Sequence, residues 1–83
     1  MALPPAAPPL QPSPAALQGV RVIEMGQLIA GPFCGKTLGE FGADVIKIEA
    51  PESGDPLRNW RLIKEGTSVW WQVQSRNKRS VAL

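Results

Sequence analysis

Ala30, Gly35, Lys36 and Thr37 sit in "AGPFCGKT", residues 30–37, which satisfies the loose spelling of a phosphate-binding loop: a small residue, four positions, then Gly-Lys-Thr. In such a loop backbone N–H groups cradle the phosphates, the lysine reaches the terminal ones, and the hydroxyl takes a metal ion. The helix must then begin at the Lys-Thr pair. Here that leaves only residues 36–41 before Gly42, whereas a helix crossing between parallel strands needs about ten residues. Pro32 would also sit inside the cradle with no N–H to donate. A helix started at Pro32 is long enough, and it puts Lys36 in the second turn, on a solvated side. The spacing therefore argues against a nucleoside triphosphate.

Other chemistry is bounded by what the chain contains. Among its 83 residues there is no histidine and one cysteine, Cys34, so no Cys-His or Ser-His pair and no internal disulfide can form. Cys34 falls on an apolar helix side and reads as buried and structural. Glu49 follows the loop by about 20 residues, where a dinucleotide-binding fold places the acid that holds a ribose hydroxyl. No G-x-G-x-x-G accompanies it, and a pair with Arg58 is the plainer reading. Asp55 and Arg58 lie three apart and suggest a salt bridge within a loop. Trp70 and Trp71 could stack on a ligand base, although adjacent helical side chains diverge by about 100° and at least one should be core. The net charge of +2 does not argue for nucleic acid. The locally basic end with Arg76, Lys78 and Arg79 is either a solvated face or an anion contact.

These residues need elements to position them. Residues 1–16 hold most of the nine prolines and no charge, and read as a disordered, polyproline-like lead. The lead has neither the positive start and apolar core of a secretory signal nor the arginines of a mitochondrial presequence. No apolar run is long enough to span a membrane, and a reducing, cytoplasmic setting is expected. From Leu17 the pattern turns orderly. "VRVIEM" (20–25) predicts a strand, and residues 32–41 a helix with Phe33, Cys34, Leu38 and Phe41 on one apolar side. Gly35 and Gly39 leave another side bare for close approach to a strand. Gly42 is expected to end the helix in the left-handed conformation. "ADVIKIEA" (43–50) is a second strand, 51–56 a loop, 67–77 a short helix with Ser68 as N-cap, and 78–83 a third strand. The fold class is α/β, opening with a βαβ unit. Parallel strands are normally covered on both faces, and three strands with two helices read as the opening segment of a larger domain.

The junction "QLIAGP" (27–32) lies outside the carboxyl end of the first strand, where open α/β sheets bind ligands. Ala30 and Gly31 have almost no side chain, and the helix N-terminus beyond them suits a phosphate or an acyl oxygen.

Taken as a set, "LQGVRVIEM", "AGPF", "LGEFGADVIKIEAPESGDPLRNW" and "NKRSVAL" resemble the start of a class III coenzyme A transferase, the family of formyl-CoA transferase and carnitine-CoA transferase. The resemblance covers residues 17–83. It implies an incomplete Rossmann-like CoA-transferase domain. The activity it implies is movement of coenzyme A from an acyl-CoA donor to a carboxylic acid acceptor. The full-length partner arrangement would be an interlocked homodimer. The coenzyme A thioester would be a substrate, with no permanently bound cofactor, metal, nucleic acid or membrane involved. By resemblance the nucleophilic aspartate lies beyond residue 83, so no catalytic residue is assigned to Asp44 or Asp55, and residues 1–83 alone would be inactive. The resemblance carries CoA contacts onto Gln27, Leu28, Ile29 and Ala30 near the thioester, and onto Lys78 and Leu83, with Arg79 as a further phosphate contact. Where Ile29 stands, formyl-CoA transferase has glutamine, which argues for a larger or less polar acyl group than formyl or oxalyl. Ala50 stands where a basic residue often reaches the nucleotide. An α-methylacyl-CoA racemase shares this fold and pocket and is the alternative; the asparagine of "NKRS", Asn77, favours the transferases. A phosphate-loop nucleotidase is the third reading.

Overall fold

The computed structural model describes residues 14–83; most of the proline-rich lead, residues 1–13, lies outside the described residues. The chain runs β1 (Arg21–Glu24), α1 (Ala30–Glu40), β2 (Asp44–Glu49), a 3₁₀ turn (Pro56–Asn59), β3 (Ile63–Lys64), β4 (Thr67–Ser68), α2 (Val69–Gln74) and β5 (Lys78–Ala82). β1, β2 and β5 form a parallel sheet with β2 in the middle. This is the expected α/β unit, and the three long strands and the crossover helix fall where their hydrophobic periods put them.

Register decides what each sheet face carries. Glu24 stands beside Lys47, Val45 beside Lys78, and Lys47 beside Ser80. Side chains alternate along each strand, so one face presents Val22, Glu24, Val45, Lys47, Glu49, Lys78 and Ser80. On β2 this is the covered face: Val45, Lys47 and Glu49 are all buried. The other face carries Ile23, Ile46, Ile48 and Val81, of which Ile23 and Val81 are exposed. At its amino end Asp44 joins Arg21 at 3.3 Å and Arg79 at 2.7 Å.

α1 packs on the covered face through Pro32, Gly35 and Gly39. The helix begins two residues before Pro32, which still lies in its first turn. Gly42 ends it at φ 103°, with the Ala43 N–H on Leu38 O and the Gly42 N–H on Gly39 O, both at 3.1 Å, a Schellman closure. A turn over Ala15–Gln18 docks there, its Leu17 N–H donating to Phe41 O at 2.8 Å.

Two expectations for α1 are corrected. Its apolar side points away from the sheet, with Phe33 and Phe41 each more than half exposed and Cys34 exposed rather than buried. The glycine side wins the sheet because the sheet face beneath it holds long charged side chains that need the room. Lys36 is mostly covered rather than solvated, lying 3.3 Å from Glu40 and 5.6 Å above the Phe33 ring centroid.

The segment after β2 was expected as loop and then helix. It contains a small hairpin, Ile63–Lys64 against Thr67–Ser68, reversed at Glu65 and Gly66, both with positive φ. The hairpin takes the first residues of the expected 67–77 helix. Ser68 still caps what remains, accepting the Trp71 N–H at 3.2 Å and donating to Trp60 O at 2.7 Å. Trp71 is half-buried, with the Arg58 guanidinium 4.0 Å from its ring centroid. Trp70 stays 41% exposed, edge-on to Trp60 at 5.4 Å. Among the described residues no helix is long and apolar enough to cross a membrane.

Candidate functional site

The carboxyl ends of the three parallel strands share one edge, and two features meet there: the turn between β1 and α1, and a cleft between the ends of β2 and β5.

The turn is pinched at its base. A Cβ on Gly26 would lie 2.8 Å from Gly31 Cα, and one on Gly31 would lie 2.6 Å from Gly26 Cα. Residues 27–30 are thrown outward: Gln27, Ile29 and Ala30 are exposed and Leu28 half-buried. The Ile29 N–H donates back to Gln27 O at 2.9 Å across Leu28, whose φ is 63°. That is a γ-turn of the rare positive-φ kind. α1 starts at Ala30, and helix geometry gives the N–H groups of Ala30 and Gly31 no partner within the helix. Pro32 has none to satisfy. Among the described residues neither the Ala30 nor the Gly31 N–H finds a partner, and the positive end of the helix lies at the turn. This start also disposes of the phosphate-loop spelling: Gly35, Lys36 and Thr37 lie in mid-helix, and the Thr37 hydroxyl donates to Phe33 O at 2.9 Å.

The cleft is an open space of about 190 Å³ bordered by Glu49, Ala50, Gly54, Arg58, Ser80 and Ala82. Glu49 is its fixed wall. Its carboxylate accepts from Arg58 Nε and a second guanidinium nitrogen at 2.7 Å each, from Ser80 Oγ at 2.6 Å and from the Asp55 N–H at 2.7 Å. The Arg58 fork, with those further donors, outweighs burial and holds the Glu49 carboxyl down at about 2. With its oxygens so occupied, Glu49 pairs with Arg58 rather than offering itself to a ribose. Leu83, beyond the end of β5, donates its N–H to Glu49 O at 3.1 Å.

Between turn and cleft lies a buried ionic cluster. The Lys47 ammonium reaches Glu24 at 2.6 Å, Asp55 at 2.7 Å and Gly26 O at 3.2 Å. The Lys78 ammonium reaches Glu24 at 2.6 Å and Pro32 O at 2.7 Å. All four side chains are at most 3% exposed. Burial works against the charge of Lys47, but Asp55 and Glu24 outweigh it and its pKa is raised; for Lys78 burial prevails and the pKa is lowered. Asp55 was expected to pair with Arg58. Instead it turns inward to Lys47 and caps the 3₁₀ turn, accepting the Leu57 N–H at 2.9 Å, while Arg58 goes to Glu49. The inward choice gives the two buried ammonium groups, which otherwise share Glu24, a second carboxylate.

The sequence-derived candidates thus divide. Gln27, Leu28, Ile29 and Ala30 form the open rim of the turn, and Leu83 stands beside the cleft. The Lys78 ammonium points under α1, into the cluster, and Arg79 lies on the opposite face with Asp44. Reading the sequence missed Lys47 altogether. Its one signal was a lysine in mid-strand, in phase with Val45.

A family model for CoA-transferase family III matches residues 17–83. Succinyl-CoA–D-citramalate CoA-transferase of Chloroflexus aurantiacus is 51% identical over 71 residues, covering 84% of this chain and 18% of that protein. Human succinyl-CoA:glutarate CoA-transferase is 41% identical over 68 residues, covering 81% and 16%. The crystal structure of a CAIB/BAIF family protein from Brucella suis superposes with a TM-score of 0.72 at 39% identity, covering 84% of this chain and 20% of that one. The chain thus spans about a fifth or less of the length of the relatives it matches. Over four fifths of its length, sequence and backbone agree on one assignment: the chain belongs to CoA-transferase family III.

Proposed function

We propose that this chain supplies the acyl-CoA-receiving edge of a CoA-transferase, which moves coenzyme A from an acyl-CoA donor to a carboxylic acid. The observation that carries the reading is the outward turn Gln27–Ala30, which ends in the nearly bare backbone of Ala30 and Gly31. It is open, it lies at the carboxyl edge of a parallel sheet, and two uncommitted N–H groups stand behind it. A thioester oxygen or a phosphate can accept from Ala30 and Gly31 there without a side chain in the way. Leu83 and the cleft beside Glu49 lie on the same edge and would receive the nucleotide end. Lys78 serves this edge by fixing the start of α1 through Pro32 O.

The relatives' names couple succinyl-CoA to citramalate and to glutarate, and a dicarboxylate exchange of that kind is the substrate class proposed here. Ile29, exposed at the rim, offers no hydrogen bond, in keeping with an acyl group larger than formyl. By the family resemblance, the aspartate that would attack the thioester lies beyond residue 83, and neither aspartate of the strands and loops here takes that role. Asp44 is committed to two arginines at the far edge, and Asp55 is buried against Lys47. The working form would be a cytoplasmic homodimer.

The test is an exchange assay on the full-length protein with succinyl-CoA and a panel of carboxylic acids. Formation of a new acyl-CoA with dicarboxylate acceptors is the expected result. Deuterium uptake at the α-carbon of a 2-methylacyl-CoA, with no exchange of coenzyme A, would instead establish a racemase and sink the proposal.

A further inference from the structure

The turn at Leu28 is strained and has to be held. A leucine at positive φ is disfavoured and persists only where its surroundings over-determine it. Three attachments do so. Gly26 and Gly31 close the base of the turn. The Gly26 carbonyl accepts from Lys47 at 3.2 Å. The Leu28 N–H donates to Asp55 Oδ1 at 3.1 Å, across 27 residues of sequence.

Asp55 is itself rigid. It is 2% exposed, its Oδ1 also accepts the Leu57 N–H, and its Oδ2 meets Lys47. Its own N–H is bound by Glu49, the wall of the cleft. One residue therefore ties the strained turn to the ionic cluster through its carboxylate and to the cleft through its backbone N–H.

We propose that Asp55 is a positioning residue for acyl-CoA: it holds Leu28 in the left-handed conformation and so aims the Gln27–Ala30 main chain at the thioester. This rests on the reading of that segment as the acyl-CoA rim. Removing the carboxylate lets Leu28 relax to negative φ, which swings the rim. Replacing Leu28 by glycine removes the strain, so that Asp55 is no longer required to hold the turn.

The test uses the full-length protein with four variants, three single and one double, and two readouts. The readouts are kcat and KM for succinyl-CoA, and the shift and exchange protection of the Leu28 amide in ¹⁵N-leucine-labelled protein. Asp55→Ala is expected to raise KM about ten-fold and to deprotect the Leu28 amide. Asp55→Asn keeps an acceptor but loses the charge, which weakens the bond; KM rises two- to three-fold and the Leu28 proton moves upfield. Leu28→Gly alone costs two- to three-fold because the side chain is lost. Added to Asp55→Ala, it restores at least three-fold of the lost affinity, a rescue that a purely structural role for Asp55 would not give. Should Asp55→Ala not fold, the Asp55→Asn shift carries the same test. Absence of rescue, or an unmoved Leu28 proton in Asp55→Asn, overturns the proposal. If coenzyme A shifts the Leu28 amide while Asp55→Ala changes neither readout, the rim reading stands and the positioning role fails. If Asp55→Ala deprotects Leu28 and KM is unmoved, the turn is held as described but does not receive acyl-CoA, and both fail.

Discussion

Gly35 and Gly39 lie one turn apart on the same buried side of α1, and the same substitution should move stability in opposite directions at the two. Glycine to alanine in a helix gains about 1 kcal/mol from propensity alone. At Gly39 the new methyl would sit 3.5 Å from Asn77 Cβ and 3.5 Å from Val45 Cγ2, which is ordinary contact. Gly39→Ala should keep most of that gain, ~0.5–1 kcal/mol. At Gly35 the methyl would fall on Glu24 Oε1, with Glu24 Cδ at 3.0 Å and Lys78 Cε at 3.3 Å. The carboxylate cannot stay, and leaving separates it from both Lys47 and Lys78. Breaking a buried ion pair costs about 3–5 kcal/mol, so Gly35→Ala should destabilise by ~2–4 kcal/mol net of propensity. Urea unfolding of the two variants beside the parent reads both values. Equal shifts in the same direction would refute the claim that the glycine side exists to seat the Glu24–Lys47–Lys78 cluster. So would a Gly35→Ala protein as stable as the parent.

Two further outcomes follow from the site. Glu49 has its pKa depressed from 4.5 to about 2, so its stabilisation is fully present above pH 4.5 and drains away as pH falls toward 2. The size is about 3 kcal/mol. Unfolding free energies of parent and Glu49→Gln should differ most near neutrality and converge toward pH 2, and a pH-independent gap would contradict this. Ser68→Ala removes both the cap on Trp71 and the bond to Trp60 O; a loss of about 1–2 kcal/mol in chemical denaturation is expected, and a loss below a few tenths would show that water replaces both bonds.

Much of the scaffold was legible because its signals are local. β-branched runs marked β1 and β2, Pro32 and Gly42 bracketed α1, and Ser68 announced α2. Gln27–Ala30 could be placed at a sheet edge from element order alone, and "GADVIKIE" with "NKRS" carried the family. The hairpin at 63–68 was hidden because its strands are two residues each, too short to show a period. Cys34 was expected to be buried because it shares an apolar helix side. Here the sheet face under α1 is charged, and the glycines pack on it instead.

What the sequence determined by itself was the order of strands and helix, and with it the edge where an open α/β sheet offers room to a ligand, since periodicity and backbone punctuation act over a few residues. What only the tertiary structure decided was who holds that edge in shape. Lys47 meets Glu24, and Asp55 reaches Leu28, only after parallel register sets β2 beside β1 and folds the following loop over the strand ends. Buried charges choose partners by distance in space, because desolvation leaves an unmatched one intolerable, and no spacing along the chain encodes that choice.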